Sequence, residues 1–357
     1  MRDDCGLAQV RSVLVLKMSS LGDIVHTLPA VARLKAARPT LRIAWMANTE
    51  WIPLLRENPD LDKIIDFPRR EFRRLADTRK VYRWLSREVF GLRPDLALDF
   101  QGLLRTAVIG RLAGPGRLHG MSDAREGARF FFHRTVSMPG SDICPPHAVE
   151  RYLALVDDLL GASIVNHSPR QQLHFRLPKG EPWIESLPPG GFILLHPFAR
   201  GSGKSLSVQQ IEAFCRRLAP RPIVIVGRTD GGMHAALRAE NVCDLVNQTT
   251  LAQLIWFIRA AAFVISVDSG PMHIAAALTH QLIGIHGWSD PRRIGPYNPN
   301  AWVWKSGRVW RVGDLPADSR VPANAALLDE RPTRLEVDLG EQDIAAICNS
   351  VMAHCGL

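Results

Sequence analysis

Three strand-to-helix turns in this sequence carry side chains able to do chemistry, and each joins small residues to a charge. The first is Lys17-Met18-Ser19-Ser20-Leu21-Gly22-Asp23, directly after an apolar run at residues 13–16. Small residues and a glycine at such a turn leave backbone N–H groups open to an anion. Asp23, at the carboxyl end of a strand, has the position of a general base. The spacing also fits a capping box, with Ser20 as the cap and Asp23 in the first turn, favourable to the helix dipole. Sequence alone leaves both readings open.

The second turn, Gly201-Ser202-Gly203-Lys204-Ser205, looks like the end of a P-loop. The full pattern needs a glycine five residues before Gly203, and Phe198 stands there. What remains is a Gly-rich turn with Arg200 and Lys204, suited to a diphosphate without the P-loop's magnesium arrangement, or a solvated loop with two charges. The third is Val267-Asp268-Ser269-Gly270-Pro271-Met272-His273, where a β-rich run at 263–267 stops and Pro271 starts a helix. Ser269 and Gly270 place N–H groups at the positive end of that helix, where a phosphate is stabilised. His273 in the first turn is either a further donor to that phosphate or a surface residue behind a capping serine.

Two other features need weighing. Asp60-Leu61-Asp62 matches a D-x-D metal motif, but Glu57-Asn58-Pro59-Asp60 has turn composition and the turn is the better reading, so no metal is expected. Arg69, Arg70, Arg73, Arg74, Arg79, Lys80, Arg83 and Arg87 face only Glu71, Asp77 and Glu88 in one basic segment. Arginine pairs suit phosphate and carboxylate. Phe72, Tyr82 and Trp84 in the same segment keep a nucleic-acid patch open as an alternative, without a recognised motif to support it.

The elements that must hold these turns alternate strand and helix, which predicts parallel sheets with helices on both faces. Strands are expected at 13–16, 41–46, 63–67 and 95–99, and helices at 22–37, 103–112 and 147–160, with a helix or loop plus helix over 69–90. Pro, Gly and polar residues mark a connection at 166–190. A second series follows, with strands at 192–196, 223–226, 263–267 and 282–285 and helices at 208–218, 233–239, 251–260 and 271–278. Residues 311–340 read as irregular, and 342–354 as a closing helix. The expected domains are 1–165, a linker 166–190, 191–340, and a terminal helix within 341–357. Ligands of such doubly wound halves bind at the carboxyl ends of the strands.

A chain of 357 residues with 46% apolar and 22% charged content can form two such cores. The net charge of +9 favours an anionic partner: nucleic acid, a membrane face or a phosphorylated molecule. The cysteines (Cys5, Cys144, Cys215, Cys243, Cys348, Cys355) form no C-x-x-C pair, as expected of reduced thiols in the cytoplasm. The apolar run at the N-terminus is too short for a secretory signal, and the longest one, 251–267, is interrupted by Gln253 and Arg259.

Together these residues resemble the glycosyltransferase family 9 heptosyltransferases. The likeness is carried by Lys17 through Pro29, Asp99-Phe100-Gln101-Gly102-Leu103, His119-Gly120-Met121, Arg125-Glu126 and His147-Ala148-Val149-Glu150-Arg151. Ser266 through His273, Ser289-Asp290-Pro291 and Gly295-Pro296-Tyr297 continue it in the family's order. The resemblance implies an α/β GT-B fold, two Rossmann-like doubly wound domains facing across a cleft. It implies metal-independent, inverting transfer of heptose from ADP-heptose to the Kdo or inner-core region of a lipopolysaccharide precursor, with no cofactor. By the same resemblance Asp23 is the base. Lys204, Gly227, Asp268, Ser269, Gly270 and His273 meet the donor. Ser20, Gly22, Arg69, Arg70, Arg73, Gln101 and Arg125 meet an anionic glycolipid acceptor. A cytoplasmic enzyme in peripheral contact with the inner membrane face, without nucleic acid, is expected. The alternatives are a family member with another sugar or acceptor, such as one like heptosyltransferase II, and a non-catalytic nucleotide or nucleic-acid binder. Two departures stand out: Leu206 replaces the aromatic residue common two positions after the lysine, and Gly227-Arg228-Thr229-Asp230 offers Asp230 where a glutamate is common.

Overall fold

The computed structural model describes residues 7–72, 78–138, 146–162, 175–183, 191–229, 240–316 and 336–354. They form two compact units. Described residues up to 138, with 148–162 and 175–178, make the first; 146–147 and those from 179 onward make the second.

The first unit runs β1 (Ser12–Leu16), α1 (Leu21–Ala37), β2 (Arg42–Asn48), α2 (Ile52–Leu55), β3 (Lys63–Phe67), α3 (Thr78–Glu88), β4 (Leu96–Asp99), α4 (Leu104–Leu112), β5 (Arg117–Met121), β6 (Arg134–Val136) and α5 (Ala148–Leu159). All six strands are parallel, in the order β3-β2-β1-β4-β5-β6. The near-continuous apolar run Ser12–Leu16 sits between β2 and β4, as a strand covered on both faces must. Helix α5 packs along α1, where Arg33 pairs at 2.5 Å with the buried Asp157.

The second unit repeats the scheme: β7 (Ile193–His196), α6 (Val208–Leu218), β8 (Ile223–Ile225), β9 (Val242–Asp244), α7 (Leu251–Ala260), β10 (Phe263–Val267), α8 (Gly270–Leu278), β11 (Leu282–His286), α9 (Pro291–Ile294), β12 (Trp302–Lys305), β13 (Arg308–Arg311) and α10 (Glu341–His354). Its sheet order is β13-β12-β11-β10-β7-β8-β9, parallel except for the hairpin β12–β13. Ser306 and Gly307, at φ 50° and 80°, make the two-residue turn of that hairpin. Ser207 and Thr250 cap α6 and α7, each in a reciprocal box with the glutamine three residues on. Phe214, Phe257 and Phe263 are fully buried, each contributing about 1.5–3 kcal/mol. Helix α10 packs on α6 and β13.

Read from its first strand outward, each sheet has the order 3-2-1-4-5-6, the doubly wound order, with β13 added to the second. The α/β reading therefore holds. Five strands have no counterpart among those expected: β5, β6, β9, β12 and β13. They are three to five residues long, and sequences such as Arg-Leu-His-Gly-Met lack an alternating or continuous apolar pattern. The expected helix at 233–239, most of the connection at 166–190 and residues 317–335 lie outside the described residues.

Candidate active site

In the first unit the carboxyl ends of β1 and β4 lie side by side, because the two strands pair from Val13↔Leu96 to Leu16↔Asp99. Asp99 ends β4 fully buried. Its carboxylate accepts N–H bonds from Gln101 and Gly102, both 2.8 Å, and the Thr106 hydroxyl at 2.8 Å. Gly102 takes φ 66° to close this turn, a backbone state few L-residues adopt. Burial pushes the Asp99 carboxyl up to about 6, against the pull of those donors and of Lys17. Gln101 then uses its side-chain oxygen to accept from Met18 N and Ser19 N, each at 3.0 Å. Gln101 therefore fixes the turn that carries Ser20 and Asp23.

Asp23 occupies the first turn of α1, with buried Gly22 before it. Its Oδ2 accepts from Ser20 N at 2.9 Å and Ser20 Oγ at 2.7 Å. Its Oδ1 accepts from Tyr152 Oη at 3.3 Å and lies 4.0 Å from Lys17 Nζ. The serine and the aspartate thus close the helix start together, and the Asp23 side chain keeps 39% exposure. The capping geometry is present and is compatible with the general-base reading.

Of the basic segment, Arg69 and Arg70 stand exposed in the turn after β3, while Arg73 and Arg74 lie outside the described residues. On α3, Trp84 is the buried residue, packed on Phe67 and Phe72, and Arg79, Lys80, Arg83 and Arg87 are exposed. Arg105 on α4 reaches the same edge. It lies over the Phe67 ring at 5.6 Å, and partial burial and then the charge of Arg69 lower its pKa. Arg125 is exposed on the loop after β5, its N–H bonded to Gly102 O at 2.9 Å.

The second unit gathers its expected residues more tightly. Lys204 Nζ meets Asp268 Oδ2 at 2.6 Å and lies 4.9 Å over the Trp288 ring. The Trp288 indole N–H donates at 2.9 Å to Ser202 O, bracing the Gly-rich turn where the sequence has Leu206 in place of an aromatic residue. Ser269 precedes α8, and its hydroxyl is 3.3 Å from His196 Nδ1. Gly270 opens α8. His273 is buried and acts on Asp268, so the surface alternative for it falls. Burial opposes the Asp268 charge, but His286, Lys204 and His273 outweigh it and hold the carboxyl down at about 2. Gly227, at φ 143°, lets the turn after β8 close on His196. A Cβ there would meet Phe198 at 2.8 Å and His196 Nε2 at 3.3 Å.

His196 and His286 end β7 and β11 fully enclosed, and burial lowers both to about 4, so both are neutral at pH 7. Next to them Lys305 donates to Gly287 O, and Asp290 is clamped by Arg292 at 2.7 Å. An expected diphosphate would find the α8 N-terminus and Lys204 on one side of this cluster, with charge already compensated. Asp60 and Asp62 belong to the turn before β3. Asp62 Oδ2 accepts from Ile43 N at 2.8 Å, and Asp60 N donates to Asn58 at 2.9 Å. Among the described residues no three His, Cys, Asp or Glu side chains cluster as metal ligands. Tyr152, Arg105, His196, His286, Trp288 and Lys305 were not singled out from the sequence, and Lys17 entered only as the start of a motif, without a role. Each is a lone residue whose neighbours come from distant elements.

The sequence model of glycosyltransferase family 9 (heptosyltransferase) matches residues 82–315, more than half of the chain. The chain belongs to this family. It is a glycosyltransferase, and the non-catalytic alternative is set aside. Among curated relatives it is similar to lipopolysaccharide heptosyltransferase 1 of Salmonella typhimurium, 28% identical with 81% of this chain and 92% of the relative covered. Among solved structures it resembles Escherichia coli heptosyltransferase WaaC with ADP: TM-score 0.66, 23% identity, 88% of this chain and 97% of that one. E. coli ADP-heptose LPS heptosyltransferase II is matched with TM-score 0.66, 20% identity, 96% and 98% coverage. These likenesses show the GT-B class of this family 9 chain. No helix among the described residues is long and apolar enough to cross a membrane.

Proposed function

We propose that this family 9 enzyme transfers heptose from ADP-heptose to the Kdo or inner-core region of a lipopolysaccharide precursor, with inversion and without a metal. The observation that carries the reading is the Lys204–Asp268 pair beside the N-terminus of α8, in a chain whose curated relatives are named lipopolysaccharide heptosyltransferases. A diphosphate leaving group gains charge as its bond to the sugar breaks, and a preorganised cation and helix dipole stabilise that charge. Lys204 exchanges its bond to Asp268 for one to the departing phosphate. The neutral His196 and His286 add no negative charge beside that anion. Asp23 takes the proton of the acceptor hydroxyl, whose oxygen attacks the anomeric carbon in a single displacement. Arg69, Arg70, Arg73, Arg105 and Arg125 hold the acidic groups of the acceptor. Enzyme of the cytoplasm and peripheral contact with the inner membrane face complete the reading. The exposed Phe130, with Arg129 over its ring at 5.0 Å, suits such a contact.

The test is a product assay by mass spectrometry with purified protein, ADP-heptose and a Kdo-terminated acceptor, with and without EDTA. Product of inverted configuration, formed equally with EDTA, is expected. Turnover only with another nucleotide sugar, or only with an acceptor already carrying one heptose, would replace this assignment with a different family 9 specificity. Loss in EDTA with rescue by magnesium or manganese would show a metal requirement.

A further inference from the structure

Beneath Asp23 lies a buried cation that the transfer as derived above does not use. Lys17 is the first residue beyond β1 and is 3% exposed. Its ammonium donates to Phe100 O at 3.0 Å and Tyr152 Oη at 2.8 Å, and Trp45 Nε1 pins its carbonyl at 3.0 Å. Tyr152 comes from α5, is itself 9% exposed, and packs edge-on against Phe100 at 5.7 Å. Its hydroxyl is the donor to Asp23 Oδ1, and Lys17 Nζ stands 4.0 Å from that same oxygen. Burial pulls the Lys17 pKa down, yet Asp23, Tyr152 and Asp99 together outweigh it and leave it raised, so the lysine is charged.

A lysine placed here only for packing would be costly, since an ammonium taken out of water needs both acceptors and counter-charge. The arrangement has a chemical use instead. We propose that Lys17 and Tyr152 are positioning residues of the transfer: they seat the Asp23 carboxylate and set the pH range over which it can accept a proton. This rests on Asp23 being the base. The charged and titratable groups around it include, among the described residues, Lys17 from the β1–α1 turn and Tyr152 from α5. Asp99 at the end of β4 acts on Lys17, and Arg151 acts on Tyr152. A nearby cation and a donated hydrogen bond both favour the ionised carboxylate. They keep Asp23 ready before the acceptor hydroxyl arrives, and afterwards they favour passing the captured proton on to water from its exposed side. Holding Oδ1 on one side and Oδ2 on the other also fixes the carboxylate plane, so the acceptor meets one orientation.

Removing either partner weakens the ionised form, so Asp23 titrates at higher pH and the acid limb of the rate profile moves up with it. The experiment uses the full chain. It compares kcat against pH at saturating donor and acceptor for wild type, Tyr152→Phe, Lys17→Met and Lys17→Arg. The Asp23 carboxyl is followed directly by carbon NMR of labelled aspartate, its resonance identified by loss in Asp23→Asn. Tyr152→Phe should raise both midpoints by roughly half a unit to one unit, with the KM for donor unchanged. Lys17→Met should raise them further, and Lys17→Arg should restore part of the shift. Should Lys17→Met fail to fold, Tyr152→Phe, which loses one hydroxyl, still decides. An Asp23 midpoint unmoved in Tyr152→Phe, with the rate lowered equally at every pH, overturns the seat whatever Asp23→Asn does. Full turnover in Asp23→Asn overturns the base reading whatever the midpoint does.

Discussion

Both sheets carry a buried aspartate at the carboxyl end of their fourth strand, Asp99 as the last residue of β4 and Asp268 directly after β10, and the two stand in opposite surroundings. Asp99 meets two backbone N–H groups and one hydroxyl, and its carboxyl is pushed up to about 6. Asp268 meets the Lys204 ammonium directly, with His286 and His273 near, and is held at about 2. In the first unit the nearby cation, Lys17, acts on the strand-end aspartate only at a distance and makes its contacts with Asp23 and Tyr152. The lesson is that identical topology places a carboxylate but does not assign it a task. Direct contact with a cation does. The two sites differ in openness for the same reason: the Asp23 side chain is 39% exposed and that of Asp268 is 5% exposed. The Asp268 cluster is closed by Lys204, whereas Arg69, Arg70 and Arg125 of the first unit stand exposed.

If that division is right, the largest effect comes from the open carboxylate. Asp23→Asn should lower kcat by roughly 10²–10⁴-fold while ADP binding, measured by calorimetry, stays at the wild-type level. The amide oxygen can still accept from Ser20 N, so the fold should persist. A matching loss of ADP affinity would break the assignment of chemistry to one unit and donor binding to the other.

The next effect belongs to the buried pair. Lys204→Ala removes the partner of an enclosed carboxylate and should cost about 3 kcal/mol of stability, the lower end for breaking such a pair because Lys204 is partly exposed. It should also weaken ADP binding. Adding Asp268→Asn should return much of the stability, since the unpaired charge is gone, but none of the affinity. Recovery of both would mean that Lys204 serves the fold and not the donor.

A smaller change is expected on the acceptor side. Arg69→Gln with Arg105→Gln should raise the KM for acceptor about tenfold, as charge-assisted contacts to acidic groups are lost. ADP affinity should not move. The difference from wild type should shrink in 1 M salt, where the Debye length is about 3 Å. Equal effects on both substrates would show that these arginines are no acceptor clamp.

How much of this could be read from the chain depends on whether the signal is local. Long buried strands such as Phe263–Val267 and capped helices such as Val208–Leu218 announce themselves through apolar runs and S-x-x-Q boxes. So do the three Gly- and Ser-bearing turns, and with them Asp23, Lys204, Asp268 and Ser269. Gln101 carried a motif but not its geometry: only the pairing of β1 with β4 shows that it braces the Ser19 turn. Tyr152 and Lys17 are 135 positions apart and meet only because α5 packs on α1. Arg105 is the second residue of a helix that nothing marks as functional until Phe67 and Arg69 come alongside it. Trp288 stands in a loop 84 residues beyond the lysine it covers. Residues that hold others in place are the least legible, because their meaning lies in contacts between elements.

The smallest effect tests the comparison of the two aspartates most directly, through stability against pH. A carboxyl raised from 3.8 to about 6 binds a proton more tightly folded than unfolded. The stability Asp99 contributes is therefore full below about pH 4 and is lost as pH rises through about 6. Asp268, lowered to about 2, contributes stability that is present above about pH 4 and is lost as pH falls through about 2. Each shift is near two units, a ceiling of about 3 kcal/mol at 1.36 kcal/mol per unit. Urea unfolding of wild type, Asp99→Asn and Asp268→Asn from about pH 2 to about pH 7, which spans both windows, separates them. The difference between wild type and Asp99→Asn should change across pH 4–6, with wild type losing ground as pH rises. The difference for Asp268→Asn should stay level over that span and fall away only at the acid end. If both differences run the same way, the three donors hold the Asp99 carboxyl below its ordinary range, and the two strand ends are chemically alike after all.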